Sequence, residues 1–231
     1  MPGTTNVDTI GADIPRADPI LDAARRLTVE AIGTFFLVLV VGATAHSGTV
    51  LAPLAVGAVL MVMVCAGERV SGGHYNPAVT LAVLIRGGIR PGAACAYWLT
   101  QVMAGLVAAL VVPVVFGSSP PHQLAPTGRL LADSVAVEFL FAFALAYVVL
   151  NVTAGRSGSA NPYNGLAIGS TVAVGAITVG GLSGGVFNPA VVLGAIAMNL
   201  FAPATLLYIP AQLAGAGAAG LLVRWLRPRD T

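Results

Sequence analysis

Six stretches of the chain, residues 27–46, 51–67, 92–116, 130–152, 163–180 and 203–226, are dominated by apolar residues. Each approaches the roughly 20 apolar residues that a helix needs to cross about 30 Å of hydrocarbon. Two further apolar stretches, 77–85 and 189–200, are too short to span, and each follows an Asn-Pro pair. At about 1.5 Å per residue, the first would reach about 14 Å, half a membrane. Asparagine is a strong N-cap, and proline suits the first helical position, where its missing N–H costs nothing. The pattern predicts an all-α membrane protein of six transmembrane helices with two re-entrant half-helices starting at Asn76-Pro77-Ala78 and Asn188-Pro189-Ala190.

The two short segments belong to a duplication. Ser71–Val79 and Ser183–Val191 match at seven of nine positions, 112 residues apart. The likeness extends outward: Val29-Glu30 in the first span corresponds to Val137-Glu138 in the fourth, and Tyr97 with Gln101 corresponds to Tyr208 with Gln212. Each repeat, about 27–116 and 130–227, holds three spans, an odd number. The second copy therefore enters the membrane from the opposite face, which makes an inverted repeat with a pseudo-two-fold axis in the membrane plane.

Charge sets the orientation. All eleven basic residues are Arg, and ten of them (Arg16, Arg25, Arg26, Arg69, Arg86, Arg90, Arg156, Arg224, Arg227 and Arg229) fall on one side of the predicted topology; only Arg129 falls on the other. By the positive-inside rule both termini are cytoplasmic. Over the 231 residues only 9% are charged and mean hydropathy is +0.88, whereas a soluble domain carries about 25% charged residues. A soluble enzyme is thereby excluded, and scattered arginines offer no nucleic-acid face. Residues 1–24, polar and containing Asp8, Asp13, Asp18 and Asp22, read as a disordered cytoplasmic tail, leaving 25–231 as one domain. Cys65 and Cys95, in apolar surroundings without CxxC spacing, read as buried small residues. No spacing of Cys, His or acid suggests a metal or cofactor site.

Two half-helices entering from opposite faces would bring their N-termini together near the midplane. Each carries about half a positive charge there, which repels cations and protons and accepts neutral hydrogen-bonding molecules. Irregular backbone at that depth is tolerated where it lines a water-filled cavity. Glu30 and Glu138 are acids set inside spans, a costly placement that points to function. The competing reading is a proton-coupled small-solute transporter in which one of these carboxylates titrates.

The paired Asn-Pro-Ala boxes, the run Ser71-Gly72-Gly73-His74-Tyr75-Asn76-Pro77-Ala78-Val79-Thr80 and Glu30-x-x-Gly33-Thr34-Phe35 resemble the aquaporin and glycerol-facilitator family over about residues 27–227. The resemblance implies one pore per subunit, assembly as a homotetramer in the cell membrane, and passive, bidirectional flow of water or small uncharged solutes rather than enzymatic turnover. It also implies that Glu30 and Glu138 brace the pore loops by hydrogen bonding, with His74 in the same network.

The sequence departs from the family at its selectivity filter. Water-selective members place an arginine directly after the second Asn-Pro-Ala; here that position is Val191, and Val192 stands where glycerol facilitators have aspartate. Counting from the two boxes puts the other filter positions at Val56, Ala176 and Gly185. An isopropyl group in place of a guanidinium removes five N–H donors and a full charge. The implied filter is wide and uncharged, suited to glycerol, urea or metalloid hydroxides such as arsenite as well as water. Small residues at helical spacing (Gly105 and Ala109; Ala214 and Ala218; Ala216 and Gly220) suggest close helix packing within the subunit. Tyr97, Trp98 and Trp225 near span ends suggest an interfacial belt.

Overall fold

The computed structural model describes residues 18–117, 122–153 and 162–228. Arg16, Arg156, Arg229, Pro120-Pro121 and the tail before Asp18 lie outside the described residues. The chain forms α1 (Pro19–Ser47), α2 (Ala52–Ser71), α3 (Pro77–Arg86), α4 (Pro91–Phe116), α5 (Gly128–Val152), α6 (Asn164–Ser183), α7 (Pro189–Ala197), a short 3-10 helix (Pro203–Leu207) and α8 (Tyr208–Leu226). Among the described residues, six spans are long and apolar enough to cross a membrane, the last running from the 3-10 turn through α8.

One boundary differs from the sequence reading. α1 begins at Pro19, so Pro19 to Ala24 are helical rather than tail; Asp18 caps the helix by accepting a 2.9 Å hydrogen bond from the Ile20 N–H. The acids that argued for disorder include a helix cap, which a count of polar residues does not distinguish.

The duplication is visible in the packing. α1 lies on α4 as α5 lies on α8, and α2 packs against α6 across the two repeats. Each half-helix packs on the third span of the other repeat, α3 on α8 and α7 on α4, so neither repeat is complete alone. The crossings rely on small residues. A methyl group on Gly57 of α2 would sit 2.6 Å from the Gly169 carbonyl oxygen of α6, closer than any side chain allows. Gly105 faces the Ala190 carbonyl of α7, and Gly220 faces the Ala82 carbonyl of α3. Ala214, by contrast, is exposed. The outer surface is apolar, with Leu99, Leu110, Val114 and Ile177 exposed, while buried polar side chains gather inside. That inversion of a soluble protein's surface suits hydrocarbon surroundings.

Several side chains sit elsewhere than the sequence suggested. Cys65 and Cys95 are exposed rather than buried; an apolar neighbourhood in sequence does not say which face of a span looks outward. Tyr97 is only 3% exposed, and its hydroxyl donates to the Ser71 carbonyl at 2.7 Å. Trp98 is half-buried and donates its indole N–H to the Pro77 carbonyl at 3.0 Å. Tyr97 thus secures the end of α2 and Trp98 the start of the first half-helix. Trp225 is exposed near the end of α8.

Candidate functional site

Each half-helix starts on an asparagine in extended conformation, with φ −156° at Asn76 and −150° at Asn188. The Asn76 Oδ1 accepts from the N–H groups of Ala78 (2.8 Å) and Val79 (3.4 Å), and the Asn188 Oδ1 accepts from Ala190 (3.0 Å). The proline that follows contributes no orphan donor. The amide nitrogens reach across the pseudo-two-fold axis: Asn76 Nδ2 donates to the Phe187 carbonyl and Asn188 Nδ2 to the Tyr75 carbonyl, both at 2.9 Å. An amide NH2 has two hydrogens, so each asparagine spends one on the opposite loop and keeps one for the cavity that both line.

The residues just before the asparagines, Tyr75 and Phe187, have φ of 48° and 47°. A side chain in this left-handed region costs about 1–2 kcal/mol, and two buried carboxylates offset it. Glu30 accepts at Oε1 from Ser71 Oγ (2.7 Å) and the His74 N–H (2.9 Å), and at Oε2 from the Tyr75 N–H (2.7 Å) and Gln101 Nε2 (2.8 Å). Glu138 repeats the set with Ser183 Oγ (2.6 Å), Val186 N–H (3.1 Å), Phe187 N–H (2.8 Å) and Gln212 Nε2 (2.7 Å). Both glutamates have no solvent exposure. Drawing the loop N–H groups toward the carboxylates turns the opposite edge of each loop, with Gly73, His74, Gly185 and Val186, onto the cavity.

That cavity has a volume of about 430 Å³. Val56, Ala176, Gly185 and Val191, drawn from α2, α6, the second loop and α7, all line it, together with Asn76 and Asn188. Its wall contains no Asp, Glu, Lys or Arg among the described residues, and Val, Leu, Ile, Ala and Gly make up most of it. Gly185 has φ +64°, and a Cβ there would fall 2.7 Å from the Ala176 Cα, so nothing larger fits between the second loop and α6. His74 also lines the cavity; its Nδ1 is 3.1 Å from Thr80 Oγ1, and its ring meets Tyr97 edge-on at 5.2 Å. The glutamates brace the loops from behind and do not line the cavity.

Sequence reasoning noted the repeated glutamines but gave them no role, and it passed over Ser71 and Ser183 as carboxylate donors; their recurrence in both repeats was the available signal. It also missed the far connection. Leu124 exchanges backbone hydrogen bonds with Leu200 (2.8 Å) and Ala202 (2.9 Å), which brings His122 and Leu124 to the cavity mouth. Nothing in that connection's sequence marks the pairing.

A sequence model described as major intrinsic protein matches residues 45–178 and 161–231. The chain is 34% identical over 201 residues to aquaporin NIP1-4 of Oryza sativa subsp. japonica, covering 83% of this chain and 73% of that protein. It is 32% identical over 183 residues to aquaporin TIP1-1 of Arabidopsis thaliana, covering 78% and 73% respectively. In three dimensions it is similar to the aquaglyceroporin from Plasmodium falciparum, with a TM-score of 0.72 over 90% of this chain and 96% of that one at 18% identity, a likeness of fold.

Proposed function

The chain belongs to the major intrinsic protein family, and on that premise we propose that it is an uncoupled channel of the cell membrane, passing water and larger neutral solutes such as glycerol, urea or metalloid hydroxides. The observation that carries this reading is the wall of the cavity, where Val191, Val56, Ala176 and Gly185 present no charge and little bulk while the amides of Asn76 and Asn188 are among its few polar groups. A passing hydroxyl or carbonyl oxygen accepts the spare asparagine N–H, and the apolar wall binds nothing tightly enough to hold the solute. Cations meet the positive ends of two half-helices and lose their hydration against Val and Leu, so exclusion does not require the arginine absent at Val191.

Proton coupling through Glu30 or Glu138 is disfavoured by their surroundings. Each carboxylate accepts four hydrogen bonds and faces away from the cavity; protonation would set an O–H against donors. The arginine distribution supports cytoplasmic termini, and the family resemblance supports a homotetramer.

The test is a solute panel of water, glycerol, urea, arsenite and ammonia in proteoliposomes. Flux of glycerol, urea or arsenite beside that of water, unchanged when the proton gradient is collapsed, is the expected result. Water flux with exclusion of the three larger solutes would defeat the wide-filter reading, and loss of flux with the gradient would defeat the uncoupled one.

A further inference from the structure

The cavity continues toward the face that carries the termini. His74 and Val149 line both the central cavity and a second one of about 370 Å³, whose wall includes Arg26, Arg69 and Arg86 with Glu68 as the one carboxylate among the described residues. Glu68 Oε1 already accepts a hydrogen bond from Asn164 Nδ2. The inverted repeat supplies the control. By the register of the repeat, the mates of Glu68 and Arg69 are Gly180 and Gly181, the mate of Arg86 is Met198, and the mate of Arg26 is Ser134. Gly180 and Gly181 line the central cavity toward the opposite mouth, with open space where a side chain would be. One mouth is thus without an ionised side chain among the described residues, and the other has three arginines in the wall of one vestibule.

A general excess of arginine on this face does not account for that convergence. Arg25 pairs with Asp22 at 3.1 Å and Arg224 reaches the Ile85 carbonyl at 3.4 Å, and neither lines the vestibule. Guanidinium forks match tetrahedral oxyanions in geometry as well as charge. We propose that the terminal vestibule is an oxyanion site for a phosphate group, free or on a monoester or lipid headgroup, and that its occupation blocks the pore from that side alone. The anion goes no further, because beyond His74 and Val149 it would shed its water against apolar wall with no countercharge.

This proposal rests on the channel reading above, and the experiment separates the two. Glycerol flux is measured by stopped-flow light scattering in phosphatidylcholine proteoliposomes, with sodium phosphate or sodium chloride at matched ionic strength on both faces. For a dissociation constant on the order of 1 mM, phosphate at about ten times that value lowers the protein-dependent flux about tenfold, and the Arg26→Gln, Arg69→Gln double variant loses the block. A parallel arm in chloride adds phosphatidic acid to the bilayer; a block found only there, and relieved by the same variant, assigns the site to a headgroup. Intact flux in chloride with no block in either arm, or a block the variant retains, overturns the oxyanion site and leaves the channel standing. Absence of flux in chloride overturns the channel reading. Titration calorimetry of the detergent-purified protein with inorganic phosphate then decides the site alone, no heat of binding counting against it.

Discussion

The two repeats solve the same mechanical problem with different surroundings. In both, a buried glutamate gathers a serine, a glutamine and two loop N–H groups. Around the first, the polar network continues: Thr80 Oγ1 lies 3.1 Å from both Gln101 Nε2 and His74 Nδ1, and Tyr97 reaches Ser71. Around the second, Val192 and Val186 stand at the positions of Thr80 and His74, and the buried Gln212 Oε1 has no hydrogen-bond partner among the described residues. The shared part is what the half-helix geometry demands. The unshared part is where each mouth has been free to differ, polar toward the termini and apolar toward the other face.

The strongest challenge to this division is removal of either carboxylate. Glu30→Leu and Glu138→Leu each strand four donors, and each buried donor left unsatisfied costs about 1–3 kcal/mol. Both variants are expected to lose the folded peak in fluorescence-detected size exclusion; survival of one alone would show that the shared bracing is not equally needed.

Glycine substitution in the loops should separate the repeats. Gly73→Ala and Gly185→Ala both place a side chain at positive φ, but the new methyl has ordinary contacts at Gly73 (3.5 Å or more) and falls 2.7 Å from Ala176 Cα at Gly185. Both lose about 1–2 kcal/mol to the backbone, and Gly185→Ala loses a further 1–3 kcal/mol or so to overpacking. Thermal unfolding in detergent reads the difference, and equal melting temperatures would erase the asymmetry.

At the filter, Val191→Arg adds bulk and five donors to an apolar wall. Glycerol flux in proteoliposomes should fall about tenfold more than water flux, equivalent to about 1.4 kcal/mol of selective barrier. Equal loss of both would place Val191 off the solute path. The smallest effect is expected from exchanging the unshared residues. Thr80→Val should destabilise by about 1 kcal/mol, and Val192→Thr, by offering Gln212 a hydroxyl, should stabilise by about as much. A melting temperature unmoved in both would mean that the polar extension around Glu30 contributes nothing to stability.

Much of this architecture was legible along the chain because its causes are local or periodic. Span length follows from hydrocarbon thickness, the half-helix starts follow from asparagine and proline at a helix N-terminus, and the inversion follows from a repeat with an odd number of spans. Recurrence alone also singled out Glu30 with Glu138 and Gln101 with Gln212. Reading burial from sequence neighbours misplaced Cys65 and Cys95, and reading position along a span misplaced Tyr97 and Trp98, since the face a residue presents depends on which helix lies beside it.

The sequence by itself determined that the chain crosses a membrane six times and turns two short helices inward, because apolar length and capping chemistry are properties of single segments. Only the tertiary structure decided what those helices meet. The amide of each asparagine is held by the other repeat's loop carbonyl, residues 111 and 113 positions apart. Arg26, Arg69 and Arg86 come to one vestibule from three separate helices. Such contacts depend on how spans cross, and crossing is set by small residues facing one another across the bundle.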